Sequence, residues 1–467
     1  MTTRWTIVLL LTLTFVRPGW ANAPPNNDSS DVEGNTAAGT DVLEVNVDGR
    51  DNSGFGSLAL GNNRHGTSNT AVGTSALVFN DSGSQNTAIG AIALANNQGD
   101  DNTAIGFQAL QGNTNGAGNT AIGLDALLSN TTGSSNTATG DGALFTNSTA
   151  AANTATGFEA LHDSTGALNT ATGAEALRSN TTGSSNTAIG ESALFSNTGG
   201  SSNTADGYQA LLNNTTGKDN AAVGDGALIS NQTGNDNAAL GDGALGASNG
   251  NNNTGLGFNT LSNNFDGNGN IAVGSGAGAK LTSGDDDIYI GNKGKGTESD
   301  TIRIGSAQTH TFIAGIGGTP VSGSTVLING RGQLGILASS TRYKRDVATM
   351  GERSGALLQL RPVTFRYKQD PSGERQYGLV AEEVAAVYPE LVTRTPSGEV
   401  QSVRYEELIP MLLNEVQRQE HALGAQTQQI ARLGARNEEQ RSENAALAAR
   451  LTRLEEASQR VGSVARR

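Results

Sequence analysis

The chain has 467 residues, of which 63 are glycine, 4% are aromatic and 16% are charged. So few aromatic and charged residues exclude a large aromatic-cored enzyme over most of the length, and also a polyelectrolyte-type disordered chain. Cysteine is absent, which rules out disulfides and thiolate chemistry, and the net charge of −14 argues against nucleic acid or an anionic membrane as the main partner.

Residues 1–23 read as a secretory signal peptide. Arg4 supplies the positive start, Ile7–Val16 is apolar, and Ala21-Asn22-Ala23 is an A-x-A cleavage site. The apolar run is about half the length a spanning helix needs. Nothing later is apolar for long enough, so the expectation is an exported chain with no integral membrane segment once the signal is removed. Residues 24–68 are assigned to a linker and first irregular rungs.

From Asn69 to Asn270 one phrase recurs thirteen times at spacings of 16 or 17 residues, beginning Asn69-Thr70-Ala71-Val72-Gly73, Asn86-Thr87-Ala88-Ile89-Gly90 and Asn102-Thr103-Ala104-Ile105-Gly106. A second phrase, Ala-Leu, sits inside the units, as at Ala109-Leu110 and Ala126-Leu127. Turns such as Asn130–Gly133 separate them. A period this short means a stacked repeat. The apolar patches are too short for helices, and Asn and Gly punctuate them where tight turns are needed. The fold class expected is therefore mostly β, with residues 69–274 forming a β-solenoid of one rung per unit, on the order of 60 Å long. Its thin core of Ala, Gly and Thr predicts that several chains share it. These rungs resemble the head repeats of trimeric autotransporter adhesins, although the adhesin repeat is usually somewhat shorter, and similar rungs occur in phage-like tail fibres. The resemblance implies a trimeric β-roll.

Residues 275–338 read as a β-rich neck, with short strands at Ile288–Ile290, Ile302–Ile304, Thr311–Ile316, Val326–Ile328 and Leu334–Leu337. Asp285-Asp286-Asp287 reads as a solvated acidic turn, with a calcium site as the weaker alternative. His65, His162, His310 and His421 show no metal spacing, and no metal or cofactor is expected.

Charge and composition change near residue 338. Residues 24–338 carry 9 Lys/Arg against 27 Asp/Glu, whereas residues 339–467 carry 19 against 17. The second segment contains Ser339-Ser340-Thr341-Arg342-Tyr343-Lys344, Arg361-Pro362-Val363-Thr364-Phe365, Tyr377-Gly378-Leu379-Val380-Ala381-Glu382-Glu383 and Val403-Arg404-Tyr405-Glu406. In this order the set resembles the intramolecular chaperone auto-processing domain that ends endosialidase tailspikes and many phage tail fibres. The resemblance implies, over residues 339–404, a domain that trimerises, guides folding of the preceding β-structure and then cuts itself off. It also implies Ser339 as nucleophile, Lys344 five residues on as its base, and Ala338–Ser339 as the scissile bond. Ser340 is a competing nucleophile. It also stands where cleaving members usually have Asp or Asn, which leaves a permanent trimerisation domain as an alternative.

The local pattern predicts a helix near Glu352–Leu360, strands at Val363–Tyr367 and Tyr377–Val380, a helix at Ala381–Val387, and a turn containing Pro396-Ser397-Gly398. A long helix is predicted from Tyr405 to about Ala457. Its 3–4 seam runs Ile409, Leu412, Val416, Gln419, Leu423, Gln426, Ile430, Leu433, Asn437, Gln440, Asn444, Leu447, Leu451 and Leu454, a coiled coil over residues 405–459 before a tail at 460–467. The seam alone leaves the number of helices open; the trimer comes from the resemblance. A terminal membrane β-barrel of the autotransporter kind is not expected. The functional expectation is a secreted or cell-surface homotrimeric fibre, its partner another copy of itself and beyond that a cell-surface or glycan ligand. A tailspike-like polysaccharide-degrading enzyme is the lower-ranked alternative, since acidic positions such as Asp225 and Asp242 read as solvated rung residues.

Overall fold

The computed structural model describes residues 29–313, 325–329, 332–368, 370, 372–395 and 397–464, so the expected signal peptide lies outside the described residues. The chain divides into two compact units, Met1–Ala314 and Gly315–Arg467.

In the first unit seventeen three-residue strands, β2 (Thr36–Ala38) through β18 (Ile302–Ile304), stack in parallel in chain order. A two-residue strand, β1 (Ser29–Ser30), runs antiparallel to β2 and covers the first rung. The register is in step from rung to rung, as where Thr103-Ala104-Ile105 pairs with Thr120-Ala121-Ile122. At about 4.8 Å per rung the stack rises ~80 Å. It continues past the repeats on both sides, because Asn35 and Gly39, then Asn52 and Gly56, keep the corners of the rung while the phrase between them changes. At the other end Ile288–Ile290 and Ile302–Ile304 carry on the same sheet. Thr311–Ile313 form no strand, and the rest of that expected strand falls outside the described residues.

Each rung has only one strand. The Ala-Leu phrase is a turn: in the Asn102 rung Gln108 and Leu110 have φ of 57° and 53°. A left-handed leucine costs about 1 kcal/mol or more. Burial offsets this, as does a hydrogen bond from Leu110 N to Ala126 O (3.0 Å) on the next rung. The predicted sharing of the core between chains is corrected. Ala104, Ala109 and Leu110 are wholly buried within one chain, and their equivalents along the stack are buried as well.

The space left by these small side chains is filled by two columns of buried asparagine. In the first, Asn119 donates from N and Nδ2 to Asn102 Oδ1 (3.0 and 3.1 Å), and from Nδ2 to Gly133 O (2.9 Å). In the second, Asn130 Nδ2 donates to Asn113 Oδ1 (2.7 Å) and to the same Gly133 O (2.9 Å). Buried amides are costly only when unpaired, and these are paired through their neighbours, except that Asn231 Oδ1 and Asn264 Oδ1 on either side of Ser248 have no partner. The 16-residue units lose one residue in the turn after the second column. Asn97, Ser164 and Ser248 stand two residues before the turn glycines Gly99, Gly166 and Gly250, whereas Asn113 stands three before Gly116.

The ends of the first column are acidic. Asp31 has acceptors only and takes Asn35 N (2.7 Å) and Asn35 Nδ2 (2.9 Å). At the far end Asp287 N donates to Asn270 Oδ1 (3.0 Å) and Asp287 Oδ1 accepts from Thr301 N (2.9 Å). Tyr289 replaces the core alanine there and donates to Glu298 Oε1 (3.1 Å), which also accepts from Arg303 Nε (2.7 Å). Asp287 is therefore a buried ladder residue, which corrects the solvated-turn expectation for that position. Asp285 and Asp286 are exposed, and Asp285 Oδ1 accepts from Asn268 N (2.7 Å).

In the second unit β19 (Val326–Ile328) and β20 (Leu334–Ile336) form a hairpin. The helix expected near Glu352–Leu360 is a 3₁₀ helix, Gly351–Gln359. Next come a hairpin of β21 (Val363–Phe365) with β22 (Gln376–Gly378), helix α1 (Ala381–Val387) and a hairpin of β23 (Val392–Arg394) with β24 (Val400–Val403). The last hairpin flanks the predicted turn, of which Pro396 lies outside the described residues. Leu357, Val384, Tyr388, Leu391, Val392 and Val403 form the core, joined by Leu408 and Met411 from α2 (Tyr405–Val464). At 60 residues, α2 is roughly 90 Å long.

Two substitutions test the ladders. Ser248 breaks the second column and leaves its own Oγ and Asn231 Oδ1 buried without partners. Asn97 shows that asparagine fits the short turn, donating to Asn80 Oδ1 (3.0 Å) and Gly99 O (2.7 Å). Ser248→Asn is expected to stabilise the array by about 1 kcal/mol, read as a higher urea midpoint. Burial pushes the Asp287 carboxyl above the usual aspartate range, against the opposing Thr301 N–H, and its Oδ2 has no partner. The unfolded carboxyl ionises first as pH rises, so the folded state loses stability from this group through that interval. Asp287→Asn is expected to stabilise, with a gain larger at pH 7 than at pH 4 by the same measurement.

Candidate self-processing site

The start of the tail is shaped by one short turn. Ser340 caps the 3₁₀ turn Thr341–Tyr343, its Oγ accepting from Arg342 N (3.4 Å). The turn folds the chain back, so Lys344 returns to Ser339 and its Nζ donates to Ser339 Oγ (3.2 Å). A five-residue spacing thus becomes a side-chain contact. Ser340 Oγ faces Arg342, accepting from Nε as well (3.4 Å). Among the residues predicted for the site, the structure brings Ser339 and Lys344 together and gives Ser340 a capping position. Ala338, Ser339, Ser340 and Lys344 are all exposed in the single chain.

The other tail motifs build the scaffold. Arg361 pairs with Glu383 through Nε and Nη2 and holds the Glu383 carboxyl below the usual carboxylate range. Tyr405 Oη accepts from Leu379 N (2.9 Å) and ties the start of α2 to the end of β22. This contact explains Gly378, since a Cβ there would lie 2.6 Å from Tyr405 Oη. Sequence spacing gave no sign of Ser354. It is wholly buried, accepting from Asn414 Nδ2 (2.7 Å) and donating to Glu415 Oε2 (3.2 Å), and so locks the 3₁₀ helix to α2.

The remaining candidates have local roles. His65 pairs with Asp48, and His162 pairs with Asp163 and stacks on Phe145. Asp225 and Asp242 are exposed on separate rungs. No group of three or more His, Asp or Glu suited to a metal ion occurs among the described residues.

Residues 339–393 match the family described as chaperone of endosialidase. The match begins at Ser339 and contains the serine–lysine contact, both β21–β22 strands and α1. No curated protein matches the chain.

A double-mutant cycle tests the scaffold. Gly378→Ala is expected to destabilise the tail by about 1–3 kcal/mol, since it forces a methyl group into the Tyr405 hydroxyl. Tyr405→Phe removes that oxygen, so the pair should cost less than the sum of its members. Urea unfolding followed by helical circular dichroism reads the effect.

Proposed function

We propose that this protein is an exported, homotrimeric β-solenoid fibre whose C-terminal domain is an intramolecular trimerisation chaperone that cuts itself off before Ser339. The observation that carries the proposal is the Ser339–Lys344 contact at the first residues of the region matching chaperone of endosialidase.

Trimerisation is supported by what α2 leaves uncovered. Beyond the turns that pack on the tail core, its apolar seam is exposed at Leu412, Val416, Leu423, Ile430, Leu433, Leu447, Leu451 and Leu454. A helix this long keeps such a stripe in water only at a large cost, and partner helices remove it. The array offers a second self-association surface. The third strand position is apolar and more than a third exposed on many rungs, as at Ile89, Ile105 and Ile122, with Thr139, Thr156, Thr172 and Asp206 interrupting the column.

The chemistry follows from the contact. A lysine acts as a base when burial strips water from its ammonium group. Ser339 and Lys344 are exposed in one chain, so that burial is assigned to neighbouring chains in the folded trimer. Lys344 then takes the Ser339 Oγ proton. The Ser339 oxygen attacks the carbonyl carbon of Ala338, the peptide C–N bond breaks, and the released amine takes the proton. Water hydrolyses the resulting ester and frees a fragment that begins at Ser339. Coupling the cut to trimer packing makes it report that folding is complete.

The intact mass of the purified protein tests this reading. Wild type is expected to release a 129-residue fragment starting at Ser339. Ser339→Ala is expected to stay whole, as is Lys344→Arg, which keeps the positive charge but cannot give up its proton. An uncut wild type would leave a permanent trimerisation tail, which exposure of the dyad and Ser340 in place of Asp or Asn favour. Sedimentation tests the assembly: Leu423→Glu with Ile430→Glu on the uncut Ser339→Ala chain is expected to convert a trimer to monomer or aggregate.

A further inference from the structure

An exposed aromatic ring recurs at every third rung between the Asn102 and Asn253 rungs. Phe107, Phe158, Tyr208 and Phe258 occupy the same rung position, the residue after the corner glycine, and follow one another at 50 or 51 residues. Their exposures are 47%, 51%, 47% and 53%, so about half of each ring is free. Three rungs separate successive rings by about 14 Å.

A carboxylate lies one rung away from each of the last three, in the same column. The ladder proves the alignment: Glu159 N, the amide after Phe158, donates to Asp141 O (2.9 Å). In the same way Gln209 N donates to Glu191 O (3.0 Å) and Asn259 N to Asp242 O (2.9 Å). Asp141, Glu191 and Asp242 are exposed. Asp225 flanks Tyr208 on its other side, with Gly226 N donating to Tyr208 O (3.0 Å). The stack therefore repeats a unit of one ring and one acid three times along one edge.

The physics of that unit selects its occupant. An exposed ring binds the apolar CH face of a sugar or the face of a cation, and an adjacent carboxylate favours positive charge. Residues 24–338 carry a net −18, so an acidic polymer is repelled. Regular spacing asks for a ligand that repeats along its own length. We propose that this column binds a linear polysaccharide carrying free amino groups, lying along the array with sugar faces on Phe158, Tyr208 and Phe258 and amino groups on Asp141, Glu191 and Asp242. The site goes beyond the fibre reading and needs neither cleavage nor trimerisation.

Titration calorimetry of the full chain with chitosan oligosaccharides, at low and high salt, tests this. Binding is expected that weakens with salt. Phe158→Ala/Tyr208→Ala/Phe258→Ala is expected to weaken it by about tenfold or more. Asp141→Asn/Glu191→Gln/Asp242→Asn is expected to weaken it and to flatten the salt dependence. Circular dichroism of both variants checks that the array is intact. No binding by a folded, trimeric wild type would overturn the site and leave the fibre reading standing. Equal binding by the aromatic variant, or binding of polylysine that the aromatic variant leaves unchanged, would reduce the column to a plain polyanion and also overturn it. A change of sedimentation state in the aromatic variant would make the column a self-association face instead.

Discussion

The structure rests on one constraint: a buried asparagine amide must find its partners in the rungs on either side. Asn119 donates to Asn102 Oδ1 on the rung before it and accepts from Asn136 N and Nδ2 on the rung after it, while the Gly133 carbonyl at the closing turn of its own rung takes its other amide proton. No rung satisfies its own ladder. That fixes the repeat, since any change of corner position leaves donors and acceptors buried and unpaired. It also fixes the ends. A column of amides needs an acceptor to start from, which Asp31 supplies, and a place to stop, which Asp287 and the Tyr289–Glu298–Arg303 group supply.

The same constraint bears on folding. Stability in such a stack is mostly a nearest-neighbour quantity, so a lone rung gains little and the first few must form together. A left-handed leucine in nearly every rung raises the cost of starting further. On the proposed reading, a tail that folds on its own core and brings chains together would lower that barrier by raising the local concentration of the array. Once the stack has formed, unfolding must reopen ladders at the capped ends, so the folded array is expected to persist on its own.

Much of this was legible in the sequence. The Asn and Gly corners are chemically strict, so the period and the parallel stack follow from them. The rungs at Asn35 and Asn52 keep those corners with other strand residues, and the phrase alone did not reach them. The single-chain core was not legible. Counting apolar residues alone gives too thin an interior, because the asparagine columns fill it and satisfy themselves. The left-handed turn at Ala109-Leu110 was hidden too, since leucine has no preference for positive φ and adopts it only under burial and a cross-rung hydrogen bond. In the tail, the family resemblance pointed to Ser339 and Lys344, while the Ser340 cap that closes the turn between them emerged from backbone geometry. Ser354 carried no signal, because its role depends on Asn414 and Glu415, some 60 residues away.

On the proposed reading, the array depends on its tail to begin folding and not to remain folded. The direct measurement compares two samples after unfolding in denaturant and dilution: the uncut Ser339→Ala chain, and the array freed of residues 339–467. Recovery is followed by β-sheet circular dichroism and sedimentation. Both samples are expected to be equally stable while folded, and only the chain with its tail to regain the stack in good yield. Equal rates and yields of refolding without the tail would contradict it.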